Sequence, residues 1–167
     1  MKKIVSLACV ICLLFSLLIP SSAFANEEIQ EELQDITLTE EEFNEILSNN
    51  PDNGVSTCAT GLIVSYSIGV SKNGETLIIA GQTFGITEVK KCGFSVLTIQ
   101  RRTGVGDTWK NYLTYNDVFY NDSSVYALAK KINLPSGYQY RVTCTHYAKK
   151  NILSVEKIDN VSNAVTF

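Results

Sequence analysis

The chain has 167 residues, 45% of them apolar and 19% charged, with a formal net charge of -3. That is the length of one domain, too apolar for a disordered chain and far from the strongly basic balance of a nucleic-acid binder. The charge is unevenly placed: residues 26–57 carry ten of the 17 acids and no base, whereas residues 58–167 carry twelve bases and seven acids. An acidic arm therefore precedes a basic domain.

Residues 1–25 read as an export signal. Lys2 and Lys3 open it, Ile4 to Ile19 is apolar, Pro20 breaks the run, and Ala23-Phe24-Ala25 supplies a small-x-small cleavage site. The run is shorter than the ~20 residues of a membrane span, and no later stretch is long enough to replace it. The expected product starts at Asn26, is secreted, and has no membrane span after cleavage. Three cysteines then remain, Cys58, Cys92 and Cys144, which in an oxidising exterior predicts one bridge and one thiol left over.

The arm, residues 26–57, is expected to be mostly disordered, with one short helix, and residues 26–52 carry no strand signal. Thr39 can cap that helix, Glu42 can complete a capping box, and Leu38 and Phe43 sit where a hydrophobic staple would. Phe43, Ile46 and Leu47 form one apolar stripe, and Asn49-Asn50-Pro51 stops it. About nine residues make a marginal helix in isolation. The opposite charges of arm and domain predict a docking that weakens with salt.

From Gly61 onward the pattern is of short β-rich runs between turn residues: Leu62 to Val70, Glu75 to Phe84, Cys92 to Arg102, Thr108 to Tyr115, Ser124 to Asn133, Tyr138 to Lys149 and Val161 to Phe167. Asn73-Gly74 signals a type I′ hairpin between the first two. Seven strands in residues 58–167 predict an all-β sandwich of immunoglobulin or fibronectin type III kind.

The segment Leu134-Pro135-Ser136-Gly137-Tyr138-Gln139-Tyr140-Arg141-Val142 resembles the turn and strand F of fibronectin type III domains. That resemblance implies a tyrosine corner at Tyr140, with the ring in the core and the hydroxyl bonded back to the turn. Alternation puts Tyr140, Val142, Cys144 and His146 on one face and Arg141, Thr143, Thr145 and Tyr147 on the other. Three cysteine pairings are open. Strands C and F are neighbours in such a sandwich, which favours Cys92–Cys144, with Cys58–Cys144 next. Lys91-Cys92-Gly93-Phe94, Ile99-Gln100-Arg101-Arg102 and Gly137 through Tyr147 also resemble an uncharacterised family of small secreted β-rich proteins of Gram-positive Firmicutes, which implies compartment and fold but no activity.

No catalytic constellation stands out. His146 is the sole histidine, there is no Gly-x-Ser-x-Gly elbow, and no paired Cys/His spacing suits zinc, so neither metal nor cofactor is expected. Cys144 and His146, i and i+2 on a strand, are expected ~6.5 Å apart, too far for a nucleophile–base pair. His146 is instead expected to fill the core or cap a strand end. Binding has more to draw on. The run Thr108 to Asp117 puts Trp109, Leu113 and Tyr115 on one face and Tyr112 on the other, mostly as core. Those facing out, with Arg101 and Arg102, could stack on a sugar or anchor a protein. The reading is a secreted, non-enzymatic binding protein whose partner is a cell-envelope polymer, a glycan or another protein. The alternatives are an antagonist or toxin held by its acidic arm, and a hydrolase using His146.

Overall fold

A computed structural model describes residues 32–51, 54–55 and 61–167, apart from the Val55 and Tyr120 side chains. The expected export signal and cleavage site, and Cys58, lie outside the described residues. Each long apolar run forms a strand because alternate residues find a facing sheet to bury against. The strands are β1 (Gln34–Asp35), β2 (Gly54–Val55), β3 (Ile63–Asn73), β4 (Thr76–Gly85), β5 (Lys91–Arg102), β6 (Lys110–Asn121), β7 (Val125–Asn133), β8 (Gln139–Asn151), β9 (Ser154–Val161) and β10 (Val165–Thr166), with one helix, α1 (Glu40–Ser48).

Two antiparallel sheets result. One runs β1-β7-β4-β3-β2; the other runs β6-β5-β8, with β9 and β10 both on the far edge of β8. Ile68, Val70, Leu77, Ile79 and Leu128 of the first sheet form one core cluster with Phe94, Leu97, Ile99, Tyr140 and Val142 of the second. This is an all-β sandwich.

The first six expected runs are strands, but the seventh is displaced. Its place is taken by β9, which hairpins off β8 through a turn where Leu153 N–H donates to Asn151 Oδ1 at 2.9 Å; only Val165–Thr166 of the expected run pairs. As an edge strand with Val155, Lys157 and Asp159 exposed, β9 shows too faint an alternation to read. The first hairpin is also shifted. Gly74 and Glu75 are its central residues, and only Gly74 has positive φ, at 61°, the pattern of a II′ turn rather than the expected I′.

The arm is not the tether that its composition suggests. The capping box forms, Thr39 N–H donating to Glu42 Oε2 at 2.8 Å and Glu42 N–H to Thr39 Oγ1 at 3.2 Å, which holds the Glu42 carboxyl below its usual range. The helix then buries Ile46 and Leu47 against Ala80, with Leu38, Phe43 and Ile78 around them. Before it, β1 pairs with β7; after it, β2 pairs with β3. The short strands β1 and β2 thus add to the two edges of one sheet. Asn50 fixes the crossing, its Nδ2 donating to Ile68 O at 2.7 Å and Val161 O at 2.9 Å, one from each sheet. Among the described residues no helix is long and apolar enough to cross a membrane.

Candidate functional site

Strand β5 lies between β6 and β8, and its last residues set up the site. In register, Arg102 faces Gln139 and Gln100 faces Arg141. The facing side chains bond reciprocally: Arg102 Nε donates to Gln139 Oε1 at 2.8 Å, and Arg141 Nε to Gln100 Oε1 at 2.9 Å. Two guanidiniums are thereby held on one outer face as diagonal neighbours. Trp109 sits with both, its ring 4.4 Å from the Arg102 guanidinium carbon and 4.5 Å from that of Arg141.

Arg101, one residue from Arg102, points to the other side of the strand. Its guanidinium lies 4.2 Å from the Tyr112 ring and 4.7 Å from that of Tyr138. Between these groups opens a cleft of about 460 Å³, lined by the two β5 arginines, Thr103, Asp107, Thr108, Lys110 and Tyr138. The Thr103 hydroxyl donates to Asp107 Oδ2 at 2.5 Å. Among the described residues no carboxylate comes within ion-pair distance of Arg101, Arg102 or Arg141; the pair that does form is Lys130–Asp35, 2.6 Å, at the arm. Burial, and after it the charge of Arg102, lowers the Arg141 pKa.

The candidates named from sequence therefore divide. Arg101, Arg102, Trp109 and Tyr112 gather at this end of the sheet. Tyr115 does not, because it faces Leu97 and packs against the core. Trp109 in turn does not share a face with Leu113 and Tyr115. The register slips between Ile99 and Gln100, making Tyr112 an extra residue, so alternation reverses across it. Arg141, Gln100 and Gln139 went unnamed as site residues, although alternation alone had put Arg141 on the outer face.

The expected Cys92–Cys144 bridge is absent, and both are free, buried thiols. Their strands are neighbours, but Cys92 faces Ala148 and Cys144 faces Leu97. That offset is ~13 Å along the strands, beyond the ~7 Å a disulfide spans. Cys144 instead lies 3.5 Å from His146 Nε2, closer than strand spacing suggested because the side chains lean together. Both are buried: His146 is 0% exposed and Cys144 4%. Burial pushes the His146 pKa down to about 3 and the Cys144 thiol up. Neutral imidazole and protonated thiol are the reverse of the charged pair that nucleophilic catalysis uses. Among the described residues no His, Cys, Asp and Glu side chains gather as metal ligands.

No family model, curated protein or solved structure matches the chain.

Proposed function

We propose that this is a small secreted protein that binds an extracellular partner without transforming it, on a sandwich of fibronectin type III kind. The fold reading is supported by strand order, β3-β4-β7 against β6-β5-β8-β9, which matches the A-B-E and C′-C-F-G arrangement of that type. It is supported too by the buried Tyr140, whose hydroxyl donates to Pro135 O at 2.9 Å, the geometry of a tyrosine corner. The lysine-led apolar segment and Ala23-Phe24-Ala25 support export.

The observation that carries binding is the cation–aromatic cluster at the open end of β5: Arg101 and Arg102 line the cleft, Arg141 shares the Trp109 ring with Arg102, and none of the three has an ion-pair partner among the described residues. Bases held rigid and left unpaired fit recognition better than stability, since like charges kept together cost free energy. The partner is an envelope polymer, a glycan or a protein. Residues 26–167 incubated with cell-wall preparations and printed on a glycan array should bind saturably, and Trp109→Ala should weaken that binding. No saturable binding on either would count against this function.

A further inference from the structure

We infer that the cleft beside Arg102, Trp109 and Arg141 is a subsite for an oxyanion, carboxylate or phosphate, carried on a hydroxyl-rich chain. This rests on the binding reading above and names its ligand. Each guanidinium spends its Nε–H on a glutamine directly across the strand pair, Arg102 on Gln139 and Arg141 on Gln100. No protein acceptor among the described residues takes the terminal N–H groups of either. A guanidinium offers five donors in a planar fork, so the terminal donors of both forks are left without a protein acceptor among the described residues. The glutamines are themselves anchored: Gln100 Nε2 donates to Asn111 Oδ1 at 2.9 Å, and Gln139 Nε2 to Thr166 Oγ1 at 3.3 Å. The Trp109 ring stays within 4.5 Å of both forks. Rotamer freedom that an oxyanion would otherwise have to freeze out is thus already removed.

The rest of the lining narrows the ligand. Lys110 adds a third positive charge to those of Arg101 and Arg102, whereas Asp107, Thr103 and Thr108 offer carboxylate and hydroxyl partners. Asp107 would repel the closely spaced charges of a nucleic-acid backbone but can accept from a sugar or polyol hydroxyl. Tyr138 supplies a ring face at the cleft wall. A volume of about 460 Å³ falls within the ~300–1,000 Å³ of small-ligand sites. The composition suits a chain with one oxyanion per unit, separated by hydroxyls.

The test is calorimetric titration of residues 26–167 with four probes: a uronic-acid oligosaccharide, its carboxyl-reduced neutral counterpart, a glycerol-phosphate oligomer and inorganic phosphate. One or both anionic oligomers should bind, with an affinity that falls as salt rises, and the neutral counterpart should bind at least tenfold more weakly. Which oligomer binds tells carboxylate from phosphate. Arg102→Gln and Arg141→Gln should each lower affinity about tenfold or more while circular dichroism stays unchanged. Arg102→Lys should recover only part of it, since a point charge replaces a fork. Equal binding of the neutral oligomer, unchanged affinity in both Gln variants, or binding of inorganic phosphate as tight as of the oligomers would overturn the inference, as would no binding of either anionic oligomer. Binding restricted to neutral glycans or a protein would sink this proposal and leave the binding function standing.

Discussion

Thr83 Oγ1, on β4, lies 2.8 Å from His146 Nδ1, on β8, so a polar contact crosses the core from one sheet to the other. The single Thr83 hydroxyl proton goes to Gly93 O at 3.1 Å, so Nδ1 must carry the proton and donate. Nε2 is then the acceptor facing the Cys144 S–H. Every polar atom of the ring is satisfied in its neutral form, with Phe94 and Tyr66 rings at 4.8 and 5.3 Å.

This arrangement predicts acid sensitivity. Burial lowers the folded pKa of His146 to about 3, against an opposing pull from Asp159, whereas an open chain titrates near ~6.5. Between those values the unfolded chain binds a proton that the folded one refuses. The histidine's stabilisation is therefore whole above pH ~6.5 and is lost as pH falls toward ~3. The gap is worth on the order of 4–5 kcal/mol, or about 1.4 kcal/mol per pH unit within the window. Urea unfolding at several pH values between 7 and 5 should show this slope in the native sequence and lose it in His146→Gln or His146→Phe. Parallel slopes in all three proteins would refute it.

A second prediction concerns the thiols. Burial raises Cys92 to about 11 and Cys144 further, and the Cys92 S–H donates to Thr83 O at 3.2 Å. Thiolate is the reactive form, so both should resist a thiol reagent in the folded protein and react in guanidinium. With Cys58→Ser in residues 26–167, the folded protein should give no reactive thiol and the unfolded one two. A Cys92–Cys144 peptide in a non-reducing digest would contradict the register.

How much of this was legible in the sequence depends on how far each signal reaches. The Thr39–Glu42 capping box spans four residues and was readable, as was the adjacency of the strands bearing Cys92 and Cys144. Register was not readable, because irregularities between Phe94 and Val96 and between Ile99 and Gln100 shift the pairing, and alternation says nothing of where a bulge falls. The same bulge moved Trp109 away from Leu113 and Tyr115 and onto the arginines. Within the site, Arg101 and Arg102 announced themselves by adjacency. Arg141 lies about forty residues on and joins them only through the pairing of Gln100 with Arg141. The arm misled for another reason: its composition is that of a solvated segment, and its docking depends on a surface elsewhere in the chain.

Tyr140 offers a compact test of the turn before β8. Removing its hydroxyl in Tyr140→Phe leaves the ring in place and strands Pro135 O without its donor. A net loss of about 1 kcal/mol is expected, measured by thermal or urea unfolding. The Tyr140 phenol, raised to about 12 mainly by burial, should stay unionised in a spectrophotometric titration until the protein unfolds. Normal titration near pH 10 would mean that the ring is open to water.

The docking of the arm turns on Gly69. A Cβ placed there would come within 2.3 Å of Ile46 O, 2.9 Å of its carbonyl carbon and 3.2 Å of Leu47 Cα. All three are backbone atoms of α1, so no rotamer change can make room. Gly69→Ala should therefore lift the helix and uncover Ile46, Leu47 and Ala80, at a cost of about 1–3 kcal/mol. Limited proteolysis should then cut near Phe43 or Leu47 at rates well above those of the native protein, because the segment loses its packing. Attachment here is apolar packing and strand pairing, and the one arm–domain ion pair among the described residues, Lys130–Asp35, has an aspartate that is 86% exposed. Exposed pairs contribute little, so the salt sensitivity predicted from net charge should be slight: resistance to proteolysis should be nearly the same in low salt and in half-molar salt. Release of the native arm by salt alone would mean that charge, not the Gly69 contact, holds it. Unchanged stability and proteolysis in Gly69→Ala would mean that the helix does not rest on β3.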